Sequence, residues 1–233
     1  MTKTRVSPEL HRYAVCAPDG NPIKDYYKGV FEEVFLFYHP FIKPKTIDYK
    51  LFEPNTYPSR NDIIKNCEIV TWKQFLEISS IKNYRQLDIG LRTLISGLNT
   101  KFANEDIAKV IQDVCVNKEI VAPSEGCFPE LLITGLLESI KKEGYEWIWY
   151  GDEFCTERKL EYIEDLVEDY NSFQNHPINL FTHDNKILLT THWDSHFSML
   201  CSDKNTVNKI VDSCNLEGFY CSEHTEIYWS ILK

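Results

Sequence analysis

Apolar and polar positions alternate differently in three stretches of the chain, and each stretch predicts a different kind of element. Residues 1–60 show no decisive period. Pro18, Pro22, Pro40, Pro44, Pro54 and Pro58 punctuate aromatic runs there, and proline both fixes φ and removes a backbone donor. Tyr26 to Tyr38 fits a short buried helix or a strand equally well. The stretch is too apolar to stay disordered and reads as an irregular aromatic layer packed on the body.

From about 71 to 143 the spacing is helical. Thr71 can cap a helix reaching Ser79, with Trp72, Phe75, Leu76 and Ile78 as its apolar surface. Leu87, Leu91, Leu94, Ile95 and Leu98 recur at helical intervals between Tyr84 and Leu98. A third helix begins after Asn104 and buries Ile107, Val110, Ile111 and Val114. Pro129 suits the first turn of a fourth, with Leu132, Ile133, Leu136, Leu137 and Ile140 inward and Gly144 as its stop.

Beyond residue 145 the period shortens. Tyr145 to Tyr150 reads as a strand of aromatic and branched residues. A helix is predicted from Thr156 to Tyr170, then extended chain from Ile187 to Cys201, a short helix from Thr206 to Cys214 and a last strand from Phe219 to Trp229. The expected architecture is one α+β domain over residues 1–233, with a helical middle packed on a small, mainly antiparallel C-terminal sheet.

Composition narrows the setting. Hydrophobic residues make up 43% and aromatics 13%, ample for a packed core. No run approaches the roughly 18 to 20 apolar residues of a membrane span, and the first residues lack an export signal, so a cytoplasmic protein is expected. The eight cysteines form no C-x-x-C pair and read mostly as small buried hydrophobes. Net charge is −10, with ten acidic residues between Glu143 and Asp169 against Arg158 and Lys159. Such a field repels phosphate backbones and suits a cationic protein surface. On the predicted helix, Glu157, Glu161, Asp165 and Asp169 stack at intervals of four along one face, each like-charged pair costing roughly 0.2 to 0.5 kcal/mol.

Candidate chemistry crowds into the last third, where five of the seven histidines lie between His176 and His224. In one uninterrupted strand, His192, Asp194 and His196 would form a polar row able to hold zinc or manganese, with His183, His224 or Glu226 completing the shell. A metal-dependent hydrolase with Glu226 as base is that version. Asp194-Ser195 is also turn chemistry, and a hairpin there would leave the imidazoles without a common focus. Ser195 beside His196 and Asp194 has the residue types of a triad but no G-x-S-x-G elbow. Cys127 and Cys155, near helix starts, are conceivable nucleophiles. Gly151-Asp152-Glu153-Phe154 shares letters with a cyclic-dinucleotide synthase signature and nothing more of it.

The segments Trp193-Asp194-Ser195-His196-Phe197-Ser198-Met199-Leu200-Cys201, Glu217-Gly218-Phe219-Tyr220-Cys221 and Thr225-Glu226-Ile227-Tyr228-Trp229 carry a resemblance. With Tyr38-His39-Pro40-Phe41-Ile42-Lys43 and Asn55-Thr56-Tyr57-Pro58, they resemble a family of uncharacterised firmicute proteins bearing the YwbB-like label, catalogued as a domain of unknown function. The resemblance implies no activity, cofactor or catalytic residue. Its pattern of an aromatic followed by Asp-Ser matches Trp193-Asp194-Ser195 and favours the turn. The functional expectation is a non-enzymatic, cofactor-free binding module for a basic protein, an immunity-like inhibitor being one version. Trp193, Asp194, Ser195, Trp229, Glu157, Glu161, Asp165 and Asp169 would form its binding surface, and neither nucleic acid nor membrane is an expected partner.

Overall fold

The computed structural model describes residues 11–153, 156–168, 179–227 and 231–232. Its first half runs α1 (Ile23–Tyr26), β1 (Glu33–Tyr38), β2 (Phe41–Pro44), a 3-10 turn (Tyr49–Leu51), α2 (Arg60–Asn66), β3 (Cys67–Val70), α3 (Trp72–Ile78), α4 (Tyr84–Leu94) and α5 (Glu105–Lys118). There follow α6 (Glu130–Lys142), β4 (Trp147–Gly151), β5 (Arg158–Tyr162), α7 (Ile163–Glu168), β6 (Asn179–Phe181), β7 (Leu188–Thr191) and β8 (Phe197–Ser202). The chain then forms α8 (Lys204–Cys214), β9 (Gly218–Tyr220), β10 (Glu226–Ile227) and β11 (Ile231–Leu232).

The fold is α+β, but its sheet is large. Seven strands lie in the order β5-β4-β6-β7-β8-β1-β9, every neighbouring pair antiparallel. Strand β1 comes from the stretch expected to be irregular and sits between β8 and β9. Its residues Val34 to Tyr38 are all buried because both sheet faces are covered. A doubly covered strand shows a continuous apolar run rather than alternation, which is why periodicity could not separate strand from helix.

The two faces carry two cores. Val34, Leu36 and Tyr38 join Phe197, Met199 and Cys201 against Trp72 and Phe75 of α3 and Leu87 and Leu91 of α4. Phe35 and Phe37 join Leu189 and Leu200 against α6, α7 and α8 through Leu136, Ile140, Leu166, Val207 and Ile210. The ring of Tyr38 stacks on Trp72 at 4.3 Å, and Phe41 on Phe75 at 3.9 Å. The Glu217 carboxylate accepts from the Trp72 and Lys73 backbone amides, anchoring the start of α3 beside the edge strand β9. Helices α4 and α5 approach so closely at Gly90 that a Cβ there would sit 2.6 Å from Ile107 and Ile111 side-chain atoms.

The helical middle follows its caps. Thr71 and Gln74 form a reciprocal capping box on α3, and Asn83 and Asn104 cap α4 and α5. Helix α4 ends at Leu94 rather than Leu98, where the chain turns through Ser96 at φ 59°. Helix α6 follows Pro129, and Gly144 at φ 98° lies just past its end.

One predicted helix is largely a strand. Among the described residues of the expected 156–170 helix only Ile163–Glu168 is helical, and Arg158–Tyr162 pairs with β4 instead. The Asp152 side chain accepts from the Thr156 amide at 2.7 Å and bonds its hydroxyl, closing the turn that returns the chain alongside β4. Tertiary pairing thus overrides the helix propensity of Arg, Lys, Leu and Glu. The acidic stack on one helix face is accordingly not formed: Glu157 lies in the turn before β5, Glu161 on β5 and Asp165 on α7. Asp169 lies outside the described residues. The last predicted strand is likewise divided, between β9 and β10.

Candidate functional site

Strands β7 and β8 form a hairpin in register Thr191↔Ser198, so the chain reverses over residues 192–196. The turn is held by three outside residues and one bond of its own. Arg92 of α4, itself buried, donates from Nε to the Asp194 carbonyl at 3.0 Å. Gly126, at φ 61°, brings its amide to the Ser195 carbonyl, and any Cβ there would stand 2.9 Å from the Trp193 carbonyl oxygen. The Ser195 hydroxyl lies 2.8 Å from His192 Nδ1, and His192 Nε2 lies 2.9 Å from Asp19 Oδ1. A carboxylate can only accept, so Nε2–H donates to Asp19, and in the neutral ring Nδ1 then accepts from the Ser195 hydroxyl.

A second relay lies beneath the turn. The Ser124 carbonyl faces His39 Nδ1 at 2.9 Å and His196 Nδ1 at 3.3 Å. His39 Nε2 accepts from the Ser198 hydroxyl at 2.7 Å, and Ser198 in turn accepts from Thr191 at 2.7 Å. Burial pushes His39 down to about 3 and His196 down to about 4, with the Arg92 guanidinium also acting against charge on His196. Both rings are therefore neutral near pH 7, and among the described residues His196 Nε2 is buried with no hydrogen-bond partner.

His192 and His196 thus serve different partners, and Asp194 engages the scaffold through its carbonyl rather than its carboxylate. His183 sits in the β6–β7 turn against the Tyr145 ring, at the opposite end of β7 from His192. Glu226 lies on β10, which pairs with β11 and bridges to Pro22, and His224 is exposed in the preceding turn. Among the described residues no group of three or more His, Cys, Asp or Glu side chains is arranged to hold a metal ion. Ser195 has the neighbours of a triad in His192 and Asp19, not in His196 and Asp194. It is fully buried, however, and its hydroxyl secures the turn. Burial holds the Cys127 thiol up at about 11, far from thiolate at neutral pH. Trp229, His176 and Cys155 lie outside the described residues.

What the turn presents outward is Trp193, 54% exposed. Beside it opens a recess of about 400 Å³ whose lining includes Arg12, Cys16, Asp19, Glu153, His192 and Trp193. Burial raises the Cys16 thiol to about 12, so it contributes bulk rather than charge. Arg12 is drawn over the Tyr13 ring at 4.4 Å. Glu153 comes from the acidic β4–β5 turn, at the same sheet end as Trp193 because Gly151, Asn179 and Thr190 share one register row. Buried Asn179 ties the two together, donating to the Asp152 carbonyl at 2.6 Å and accepting from Thr190 at 2.5 Å. Asp19, Arg92, His39 and Ser124 are not among the site residues expected from the sequence. Only Asp19 carries a local signal, the turn pattern Pro18-Asp19-Gly20.

A family model described as "Protein of unknown function (DUF2711)" matches residues 19–231, a span that contains every residue of the turn and its clamps. The chain belongs to this family. It is also similar to "Uncharacterized protein YwbB" of Bacillus subtilis (strain 168), at 22% identity over 223 residues, which cover 91% of this chain and 96% of that protein. No solved structure matches the chain at a significant level. Among the described residues no helix is long and apolar enough to cross a membrane.

Proposed function

We propose that this protein is a non-enzymatic binding module whose recess beside Trp193 receives a basic side chain of a partner protein. The observation that carries the reading is an exposed tryptophan on an immobilised turn, next to a pocket bearing two carboxylates, Asp19 and Glu153. Exposed aromatics on rigid scaffolds supply contact area at little entropic cost and dominate many protein interfaces. A guanidinium or ammonium group entering the recess would meet the Trp193 ring and both carboxylates, adding cation–π attraction to charge pairing.

The acidic surrounding works in the same direction. Glu157, exposed in the β4–β5 turn, lies at the same end of the sheet and adds to the field that draws in a cationic partner. No metal, cofactor or proton transfer is needed for this role. Calorimetric titration with a hexa-arginine peptide tests it. Micromolar binding that weakens at least tenfold in both Trp193→Ala and Asp19→Asn, but less than twofold in Glu164→Gln on α7, is the expected outcome. Equal weakening in all three variants would reduce the effect to bulk charge and exclude the recess as the binding site.

A further inference from the structure

Strand β5 ends the seven-stranded sheet, and among the described residues no strand pairs with its outer edge. Two backbone bonds fix which of its groups face outward. Asp152 N–H donates to the Glu157 carbonyl at 3.1 Å, and Ile163 N–H to the Glu146 carbonyl at 2.8 Å. Hydrogen-bonded pairs in an antiparallel ladder recur every second residue, so Lys159 and Glu161 direct their backbone groups at β4. Those of Leu160 and Tyr162 point away from the sheet.

We propose that this edge pairs with a second copy of the chain, extending the sheet across a twofold axis at Leu160. In that register Leu160 faces the partner's Leu160 as a hydrogen-bonded pair, using backbone groups that already point outward. Lys159 then faces the partner's Glu161, and Glu161 the partner's Lys159, both as non-hydrogen-bonded pairs, in which side chains lie closest. Within one copy Lys159 and Glu161 contact each other, and pairing exchanges that contact for two across the seam. The other face of the strand agrees. Leu160 is 39% exposed and Trp147, paired with Tyr162, is 47% exposed, so the seam would join two apolar patches. The sequence Arg-Lys-Leu-Glu-Tyr is thus complementary to itself when reversed, a property an edge that merely repels neighbours does not need.

One short edge buries less than the roughly 800 Å² per partner of a stable complex, so the association is weak. Sedimentation velocity on the full chain, up to about 300 μM, should show the 27.4 kDa mass doubling with concentration. K159E and E161K should each weaken this at least tenfold, because like charges then oppose across the axis. An equimolar mixture of the two should associate again, since one chain presents two carboxylates and the other two ammonium groups. Far-ultraviolet circular dichroism checks that both variants fold, and K109Q, at an exposed position of α5, serves as a third variant that should associate like the parent. A parent that stays monomeric throughout, edge variants that associate like the parent, or a mixture no better than either variant alone would each overturn the proposal.

Discussion

His192 Nε2 meets Asp19 Oδ1 at 2.9 Å across 173 residues of chain. This bond joins the segment before α1 to the β7–β8 turn and so builds two walls of the recess at once. Removing the acceptor with Asp19→Ala should cost about 0.5 to 1.5 kcal/mol, the range for one hydrogen bond whose partner water can still reach. Asp19→Asn keeps an oxygen and should cost less. Urea unfolding measures both; a change below about 0.3 kcal/mol in the alanine variant would show that the bond does not organise the wall.

The turn itself depends on a backbone position. Gly126 sits at φ 61°, and a methyl group added to it would stand 2.9 Å from the Trp193 carbonyl oxygen, leaving no room for a side chain. Gly126→Ala should destabilise by roughly 1 to 3 kcal/mol, through left-handed strain and displacement of the turn together. Its loss of hexa-arginine binding should exceed its loss of stability at 25 °C, since the fold persists while Trp193 moves. A fully stable variant would mean that the contact yields freely.

Acid should weaken the fold through two buried imidazoles. His39 and His196 have folded values near 3 and 4, below the usual histidine value, so the unfolded chain binds more protons between about pH 4 and 6.5. Stability therefore rises with pH in that window and is lost as pH falls through it, by up to about 1.4 kcal/mol per pH unit for each ring. Replacing one ring by His196→Leu should flatten the slope between pH 5 and 6.5 by up to one proton. Urea midpoints across that range decide it, and a slope unchanged from the parent would contradict the buried neutral assignment.

How much of this was legible in the sequence depends on where each partner lies. Helices α3 to α6 could be read because Thr71, Asn104 and Pro129 are local signals standing beside their own helices. The reversal at Asp194-Ser195 was readable for the same reason. Strand β1 was not, since burial on both faces erases alternation. Strand β5 was misread because its charges also fit a helix, and only pairing with β4 decides between them. The recess was the least legible part. Its walls come from Arg12 to Asp19, from Glu153 and from His192 and Trp193, and no local pattern records that these meet.

The placement of the binding surface is tested most directly by nuclear magnetic resonance of the indole N–H groups during hexa-arginine titration. Trp193 stands on the rim of the recess, whereas Trp72 is buried with its indole N–H bonded to the His39 carbonyl at 2.7 Å. Binding at the recess predicts a saturable shift of the Trp193 signal that tracks the calorimetric isotherm, with the Trp72 signal unmoved. A Trp193 signal that stays in place while the peptide binds would put the contact elsewhere and contradict the proposed function.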